Sequence, residues 1–304
     1  MYRKVDAGIV TALHQIVGED NVLIGNEKME PYTHDEVVGL HADPEIVVKD
    51  TSAEQISEIL KLAQQERVPV TPRGAGTGLS GGAVPVCGGI VLSLEKMNRI
   101  LEIDQENLMV TVEPGVITGE LHRTVEAEGL FYPPDPASLD TCSIGGNIAE
   151  GSGGPRAVKY GVTKDYVCSL EAVLPSGEIV TCGRKLVKDV TGYNLTQLLI
   201  GSEGTLAVVT KIILRVIPLP KLRVDLLVPF DDFQAAADTV SDIIGERIVP
   251  ATIEFMERDA VLATEQFLEK EAPYHDAEAQ LLIQIDGNHQ EAVDADFETA
   301  GEIC

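Results

Sequence analysis

The sequence is poor in basic residues, with 23 Lys and Arg against 49 Asp and Glu, which gives a formal net charge of −26. Because recognition of nucleic-acid phosphates requires a basic footprint, this balance excludes nucleic acid as an expected partner. The acidic residues are concentrated late in the chain, where residues 221–304 carry 20 Asp and Glu against 5 Lys and Arg. We favour a solvated surface over a docking face for a basic partner there, and the composition shift near residues 218–220 predicts a domain boundary.

Long apolar runs and paired cysteines are also missing. No run reaches the length of about 18 apolar residues that a membrane span requires, so no transmembrane segment is predicted. The five cysteines are widely spaced and form no C-x-x-C, a pattern typical of reduced thiols in the cytoplasm. The opening residues, M-Y-R-K-V-D, lack the apolar core of a signal peptide. We expect a cytoplasmic protein, with any membrane contact made through a partner.

The most informative stretch is residues 68–82, which read V-P-V-T-P-R-G-A-G-T-G-L-S-G-G. A strand-like run ends at Pro72, and five glycines follow between Gly74 and Gly82. Glycine lets the backbone press against a ligand, and successive backbone N–H groups in such a turn form a concavity that binds anions. This stretch therefore predicts the site of a nucleotide pyrophosphate.

The residues after this loop narrow the class of nucleotide site. No Lys follows the glycines, so the loop of a P-loop NTPase is not indicated. The apolar run at residues 90–94 predicts a strand where a Rossmann fingerprint requires a helix. A flexible linker is disfavoured because strands flank the loop closely on both sides.

Two further glycine-rich stretches follow, at residues 141–154 and 200–206. Several such stretches in one chain suit an extended dinucleotide threaded along the backbone, although a tight structural glycine corner remains open for residues 141–154. His34 and His41 lie among acids, without a second metal-type residue at ligand spacing, and are interpreted as surface or structural residues.

Periodicity predicts most of the remaining elements. The N-terminal residues 5–17 have a helical period, and a β-α-β unit covers residues 46–70. A hairpin is predicted around residues 175–178 with Leu174 facing Ile179, which sets Cys182 opposite Glu171 and disfavours a disulfide to Cys168. Beyond residue 220 the order strand, helix, strand, helix, strand, helix predicts a separate α+β unit.

Together these motifs resemble the FAD-linked oxidases with a PCMH-type FAD-binding domain, and above all the glycolate oxidase FAD subunit and D-lactate dehydrogenases. The similarity covers about residues 40–220, and V-P-A-T-I-E-F-M-E resembles the opening of the family's substrate-side domain. The resemblance implies an α+β fold: an N-terminal helical segment (1–39), a PCMH-type FAD-binding domain of two α+β subdomains (40–220), and an incomplete α+β substrate, or cap, domain (221–304).

The resemblance also implies which residues hold FAD. The loop would wrap the pyrophosphate through backbone amides, other residues would line the adenosine and flavin sides, and the absence of His beside Ala75 implies that the FAD is non-covalent. The implied cofactor-binding residues are Pro72, Arg73, Gly74, Ala75, Gly76, Thr77, Gly78, Leu79, Ser80, Pro134, Asp135, Ser138, Ser143, Ile144, Gly145, Gly146, Asn147, Gly151, Gly161, Glu203, Gly204 and Thr205.

Chains of this family run further and carry an H-G-D-G-N-H type motif that supplies metal ligands or the base and substrate-binding residues. Residues 286–289, D-G-N-H, suggest a remnant of it, but they lie between a predicted strand and a predicted helix, and a turn is the better interpretation. No catalytic residue and no metal ligand is therefore assigned. We expect the 304-residue chain to bind FAD and to oxidise 2-hydroxy acids poorly.

By resemblance, the function is oxidation of a 2-hydroxy acid, glycolate or D-lactate, with electrons passed to an acceptor protein or quinone, in a homo- or hetero-oligomer. One alternative is an FAD-binding electron-transfer subunit or fragment without its own substrate site. Another is a flavin reductase acting on a nucleotide-sugar enol ether, against which the G-S-E-G-T-L run argues.

Overall fold

The computed structural model describes residues 2–304. In chain order the helices are α1 (Ala7–Val17), α2 (Asn26–Met29), α3 (Ala53–Glu66), α4 (Thr118–Ala127), α5 (Ile144–Glu150), α6 (Ala157–Tyr160), α7 (Leu195–Leu199), α8 (Phe233–Gly245), α9 (Arg258–Leu268) and α10 (Gln290–Ile303). The strands are β1 (Val22–Leu23), β2 (Ile46–Lys49), β3 (Val70–Arg73), β4 (Ile90–Ser93), β5 (Ile100–Asp104), β6 (Met109–Val112), β7 (Leu130–Phe131), β8 (Val167–Val173), β9 (Ile179–Gly183), β10 (Val208–Arg215), β11 (Ile217–Pro218), β12 (Leu222–Phe230), β13 (Thr252–Glu257) and β14 (Ala279–Gly287).

The chain forms two units. The first runs to Tyr132 and also contains Ser138–Ser152 and Thr163–Pro218. The second contains Pro133–Ala137, Gly153–Val162 and Leu219–Cys304. The chain therefore leaves the first unit twice for short excursions before its last crossing after Pro218.

The first sheet of the first unit has the strand order β1-β2-β4-β3, in which β2 and β3 each pair in parallel with β4. Helix α3 connects β2 to β3 and begins where the Ser52 hydroxyl accepts a hydrogen bond from the Gln55 N–H at 3.3 Å. Its buried stripe, which includes Ile56 and Ile59, packs with α1 into the core of this sheet. The predicted β-α-β unit is present, with β4 inserted between its two strands.

The second sheet of the first unit is antiparallel, with the order β5-β6-β10-β8-β9. Strand β10 alternates buried and half-buried residues along its whole length, as expected for a strand with one face in the core. A separate two-stranded ribbon pairs β7 with β11.

The register predicted for the β8–β9 hairpin is wrong by one residue. Ile179 pairs with Val173 rather than Leu174, and Cys182 pairs with Leu170 rather than Glu171. The cause is the turn: the Leu174 N–H bonds to the Glu178 carbonyl at 2.9 Å, which leaves a three-residue loop with Gly177 at φ 81°. Both Cys168 and Cys182 are free thiols, as expected.

The second unit contains a three-stranded antiparallel sheet with the order β12-β14-β13. Its core combines the apolar residues of the central strand β14 with residues of α8 and α10, including Ala236, Ile243 and Val293. All six elements predicted beyond residue 220 are present in the predicted order. Helix α6, from the short excursion at residues 153–162, also belongs to this unit and contacts β13.

Candidate cofactor-binding site

The glycine-rich loop leaves the carboxyl end of β3 and returns to the parallel strand β4. The strand after the loop confirms that this is not a Rossmann turn. Gly76 (φ 74°) and Gly81 (φ 82°) take the left-handed backbone conformation that allows the loop to fold back on itself.

The backbone donors of this loop are free. Within residues 2–304, no N–H of residues 74–80 donates a hydrogen bond, and the loop's Gly78 carbonyl accepts one from the Glu36 N–H at 3.0 Å. Consecutive unused N–H groups on a glycine-rich loop form an anion-binding concavity, because an orphan donor requires an acceptor from outside the chain. This is the backbone chemistry that a pyrophosphate requires.

The side chain of Arg73 stabilises the conformation of the glycine-rich loop. Its guanidinium donates to the carbonyls of Pro31 (2.9 Å), His34 (2.8 Å) and Ala83 (3.3 Å), and it lies 5.7 Å from the centre of the Tyr32 ring. Burial lowers the pKa of the Arg73 guanidinium, with nearby acidic groups acting in the opposite direction. Since its donors are bonded to carbonyls, the side chain of Arg73 holds the loop in place, and the segment 31–36 is part of the site's support.

The second glycine-rich stretch lies directly against the loop. A Cβ atom built on Gly74 would lie 2.6 Å from Ser143 Oγ and 3.4 Å from Gly146 N, so the two backbones approach too closely for a side chain between them. Residues 144–150 form helix α5, with the Ser143 hydroxyl accepting from the Gly146 N–H at 3.3 Å.

Two of the larger side chains of this stretch, Ile144 and Asn147, lie in the interior of the first unit. Ile144 is fully buried, and the Asn147 side-chain amide donates to Thr118 Oγ1 at 2.6 Å. The N–H of Gly145 bonds to the Pro114 carbonyl at 2.7 Å, and a Cβ on Gly145 would lie 2.5 Å from Pro114 Cβ. Gly145 is therefore a structural glycine, and the first turn of α5 can offer a ligand only backbone surface.

The third glycine-rich stretch, residues 200–206, contacts both α5 and the start of the glycine-rich loop. The Gly201 N–H bonds to the Ile148 carbonyl of α5 at 2.9 Å, and the Glu203 N–H bonds to the Ala149 carbonyl at 2.9 Å. A Cβ on Gly204 would lie 3.2 Å from Pro72 Cγ, at the start of the loop. The first unit thus brings all three glycine-rich stretches together.

Three of the predicted binding residues, Pro134, Asp135 and Gly161, belong to the second unit. Asp135 pairs with Arg156 at 3.2 Å; burial raises the pKa of the Asp135 carboxyl, and hydrogen bonding and charge from Arg156 oppose the rise. Gly161 ends α6. In the first unit, the Ser138 carbonyl accepts from the Cys142 N–H at 2.7 Å in the turn before α5.

Sequence reasoning missed one side chain on the loop. Glu150, the last residue of α5, accepts a hydrogen bond from the Ser80 hydroxyl at 3.1 Å, beside Glu203, which was predicted. Burial raises the pKa of the Glu150 carboxyl; the Ser80 hydrogen bond opposes the rise, while the charges of Glu203 and Asp35 add to it. No local pattern identifies Glu150, because only the folded backbone places it over the loop.

The histidines and the 286–289 segment show no metal chemistry. Among residues 2–304, no group of three His, Cys, Asp or Glu side chains is placed to hold a metal ion. Asp286, the penultimate residue of β14, forms an ion pair with Lys159 (2.5 Å) and accepts a hydrogen bond from the Tyr160 hydroxyl (2.7 Å), while His289 precedes α10. The predicted turn therefore comprises only residues 288–289, because residues 286–287 still belong to the strand. The described residues include no helix with the length and apolar character needed to cross a membrane.

Comparison with known proteins agrees with this geometry. A family profile described as an FAD binding domain matches residues 44–183, and one described as the C-terminal domain of FAD linked oxidases matches residues 219–304. The chain is 47% identical over 292 residues to glycolate oxidase subunit GlcD of Bacillus subtilis (strain 168), covering 96% of this chain and 62% of that protein. It is 42% identical over 308 residues to D-lactate dehydrogenase of Anaerostipes hadrus, covering 99% of this chain and 64% of that protein.

Solved structures show the same fold at low sequence identity. Alkyldihydroxyacetonephosphate synthase superposes with a TM-score of 0.83 at 20% identity, covering 99% of this chain and 59% of that one. Substrate-bound p-cresol methylhydroxylase superposes with a TM-score of 0.81 at 20% identity, covering 100% of this chain and 65% of that one.

The fold and the two profiles define a flavoprotein of the PCMH type with FAD as its cofactor. The chain belongs to the FAD-linked oxidases, as its motifs predicted, and the predicted α+β fold class is confirmed. It spans less than two thirds of the length of the two relatives described above.

Proposed function

We propose that this chain is the FAD-binding part of an enzyme that oxidises a 2-hydroxy acid, glycolate or D-lactate, to the 2-oxo acid. The observation that carries the proposal is the row of unused N–H groups at residues 74–80, set against two other glycine-rich stretches. The activity named for the two relatives, a glycolate oxidase subunit and a D-lactate dehydrogenase, supports the substrate class.

In this proposal residues 40–220 form the FAD-binding domain and residues 221–304 begin the substrate domain. The loop holds the pyrophosphate through its backbone donors, since Arg73 is committed to carbonyls beneath it. Within the first unit, the backbone of α5 and of residues 203–205 lines the adenosine and flavin, together with Ser138. Because the loop contains Ala75 and no His, the cofactor is held without a covalent bond.

The chemistry that FAD supplies when bound is two-electron oxidation, in which the hydrogen on C2 leaves as a hydride while the hydroxyl proton goes to a base. An electron-acceptor protein or a quinone then takes the two electrons. The chain's own part is to bind and orient, because no side chain of residues 2–304 is assigned as the base.

The test is the visible spectrum of the purified protein, followed by anaerobic titration with D-lactate, glycolate and 2-hydroxyglutarate. We expect a bound flavin spectrum that one of these acids bleaches slowly, because the 304-residue chain is expected to oxidise 2-hydroxy acids poorly. Gly74→Val should abolish FAD binding because its side chain collides with Ser143 and α5, whereas Gly245→Val, with open space around it, should retain the flavin. A parent protein that is colourless and does not take up added FAD would refute the proposal.

One alternative function has a supporting observation, because the Bacillus subtilis relative is named as a subunit. The chain would then be an FAD-binding electron-transfer subunit whose substrate site lies on another polypeptide. Bleaching of bound flavin by a 2-hydroxy acid without added subunits excludes this alternative. Flavin that is bound but bleached only after a partner protein is added supports it.

A further inference from the structure

Two carboxylates meet on the glycine loop of the first unit. The Ser80 hydroxyl lies 3.1 Å from Glu150 Oε1 and 3.1 Å from Glu203 Oε2. A Cβ on Gly78 would lie 2.8 Å from Glu150 Oε1, and a Cβ on Gly82 would lie 2.8 Å from Glu203 Oε2. Each carboxylate therefore occupies the space beside one glycine of the loop, and Ser80 lies between them.

Both glutamates lie on backbone that neighbouring segments hold, and their side chains and that of Ser80 are exposed. Glu150 ends α5, and Glu203 takes the left-handed conformation at φ 51° with its N–H on the Ala149 carbonyl. A non-Gly residue in that conformation indicates that the surrounding structure determines its position. We refer to Glu150, Ser80 and Glu203 as the carboxylate clamp.

The two carboxylates of the carboxylate clamp share a single hydroxyl donor. One hydroxyl carries one proton, so Ser80 can donate to only one of the two carboxylates at a time. A second negative carboxylate then faces the loop without that donor. The other titratable or charged groups on the segment packed against the loop are Tyr32, His34, which is exposed, Asp35, whose Oδ2 is buried without a partner among residues 2–304, and Glu36; the loop itself begins after Arg73.

We propose that Glu150 and Glu203 are positioning residues that hold the pyrophosphate loop through Ser80, and that this pair takes up a proton when FAD binds. The inference rests on the proposed function, in which the loop holds the pyrophosphate. Bringing a pyrophosphate with two negative charges onto a loop that already carries two carboxylates costs Coulomb energy, and protonating one carboxylate relieves it.

The sign of the pH dependence follows from this. Anion binding favours the protonated form of the pair. FAD therefore binds most tightly at low pH, and its affinity falls as the pH rises from the range where the pair ionises in the free protein to the range where it ionises in the complex. For one carboxylate, we expect the FAD dissociation constant to rise about five- to tenfold across this interval.

The experiment measures FAD binding to the apoprotein by quenching of flavin fluorescence between pH 5.5 and 8.5. Glu150→Gln and Glu203→Gln keep an oxygen that accepts from Ser80 and remove only the charge. We expect each to bind FAD more tightly than the parent at pH 8 and to lose most of the pH dependence. Glu178→Gln, an exposed glutamate of the β8–β9 turn, is the control and should match the parent.

Two further measurements separate charge from structure. Ser80→Ala removes the shared donor and should weaken FAD binding at pH 8 about threefold while keeping the pH dependence. Calorimetric titration in buffers of different ionisation enthalpy should detect proton uptake by the parent and less in the two Gln variants. Parent-like affinity, pH profile and proton uptake in both Gln variants would overturn the clamp. Failure of the parent to bind FAD at any pH would overturn the proposed function, and the clamp with it.

Discussion

The carboxyl group of Asp50 should make the stability of the first unit depend on pH. Asp50 follows β2, is fully buried, and neither of its carboxyl oxygens has a hydrogen-bond partner among residues 2–304. Burial raises the pKa of the Asp50 carboxyl from 3.8 to about 8. Because the pKa in the folded protein lies above that in the unfolded chain, folding takes up a proton. The resulting cost is absent below about pH 4, grows as the pH rises, and levels off above about pH 8.

The size of this cost follows from the two pKa values of Asp50, in the unfolded and the folded chain. It grows by about 1.4 kcal/mol for each pH unit between them. At pH 5 the cost is about 2 kcal/mol, and at pH 7 it is about 4 kcal/mol. Asp50→Asn keeps the shape of the side chain and removes its ionisation. The gain in unfolding free energy from Asp50→Asn should therefore be about 2–3 kcal/mol larger at pH 7 than at pH 5.

Urea unfolding followed by circular dichroism at pH 5, 6, 7 and 8 measures this difference, provided that the slope with denaturant stays constant. Asp20→Asn, at an exposed position of the same unit, is the control and should change the free energy of unfolding little at every pH. A stability difference between Asp50→Asn and the parent that does not change with pH would show that Asp50 is not held neutral by burial.

Four other substitutions test packing and pairing by the same unfolding assay. Gly145→Ala should destabilise the first unit by about 2–3 kcal/mol, because the new Cβ collides with Pro114. Gly301→Ala, in an open stretch of α10, should instead stabilise the second unit by up to about 1 kcal/mol. Equal effects of the two substitutions would contradict the contact with Pro114. Asp286→Ala should cost about 3 kcal/mol because it leaves Lys159 without its carboxylate, and a neutral outcome would show that water replaces it. Arg73→Lys should cost about 2 kcal/mol, since an ammonium cannot span three carbonyls, and unchanged stability would refute that bracing role.

The elements that sequence analysis predicted are those with a strong local signal. The helix at residues 53–66, for example, has a cap and an apolar stripe. The glycine-rich stretches indicated a candidate site because their composition has no explanation in core packing. They contact one another in the first unit, and their binding of one extended dinucleotide stays a prediction.

What sequence analysis missed depends on non-local contacts. Helix α5 contains Gly145 and Gly146, which disfavour a helix, and it is held by the Ser143 cap and by carbonyls of a distant segment. The register of the β8–β9 hairpin depends on whether Glu178 lies in the turn or pairs with Leu174. The sequence does not distinguish these two arrangements, and in the structure Glu178 pairs with Leu174. Glu150 reaches the loop through folding alone, and the support from Pro31 and His34 came from a segment whose sequence shows no regular pattern.

The route of the chain between the two units limits how the protein can be divided or recombined. A polypeptide ending at Pro218 would still carry residues 133–137 and 153–162, which belong to the other unit, and Lys159 and Tyr160 would lose Asp286. Exchange of the second unit between relatives at a single junction would therefore produce mismatched chimaeras. A compatible graft has to transfer three separate pieces of sequence together.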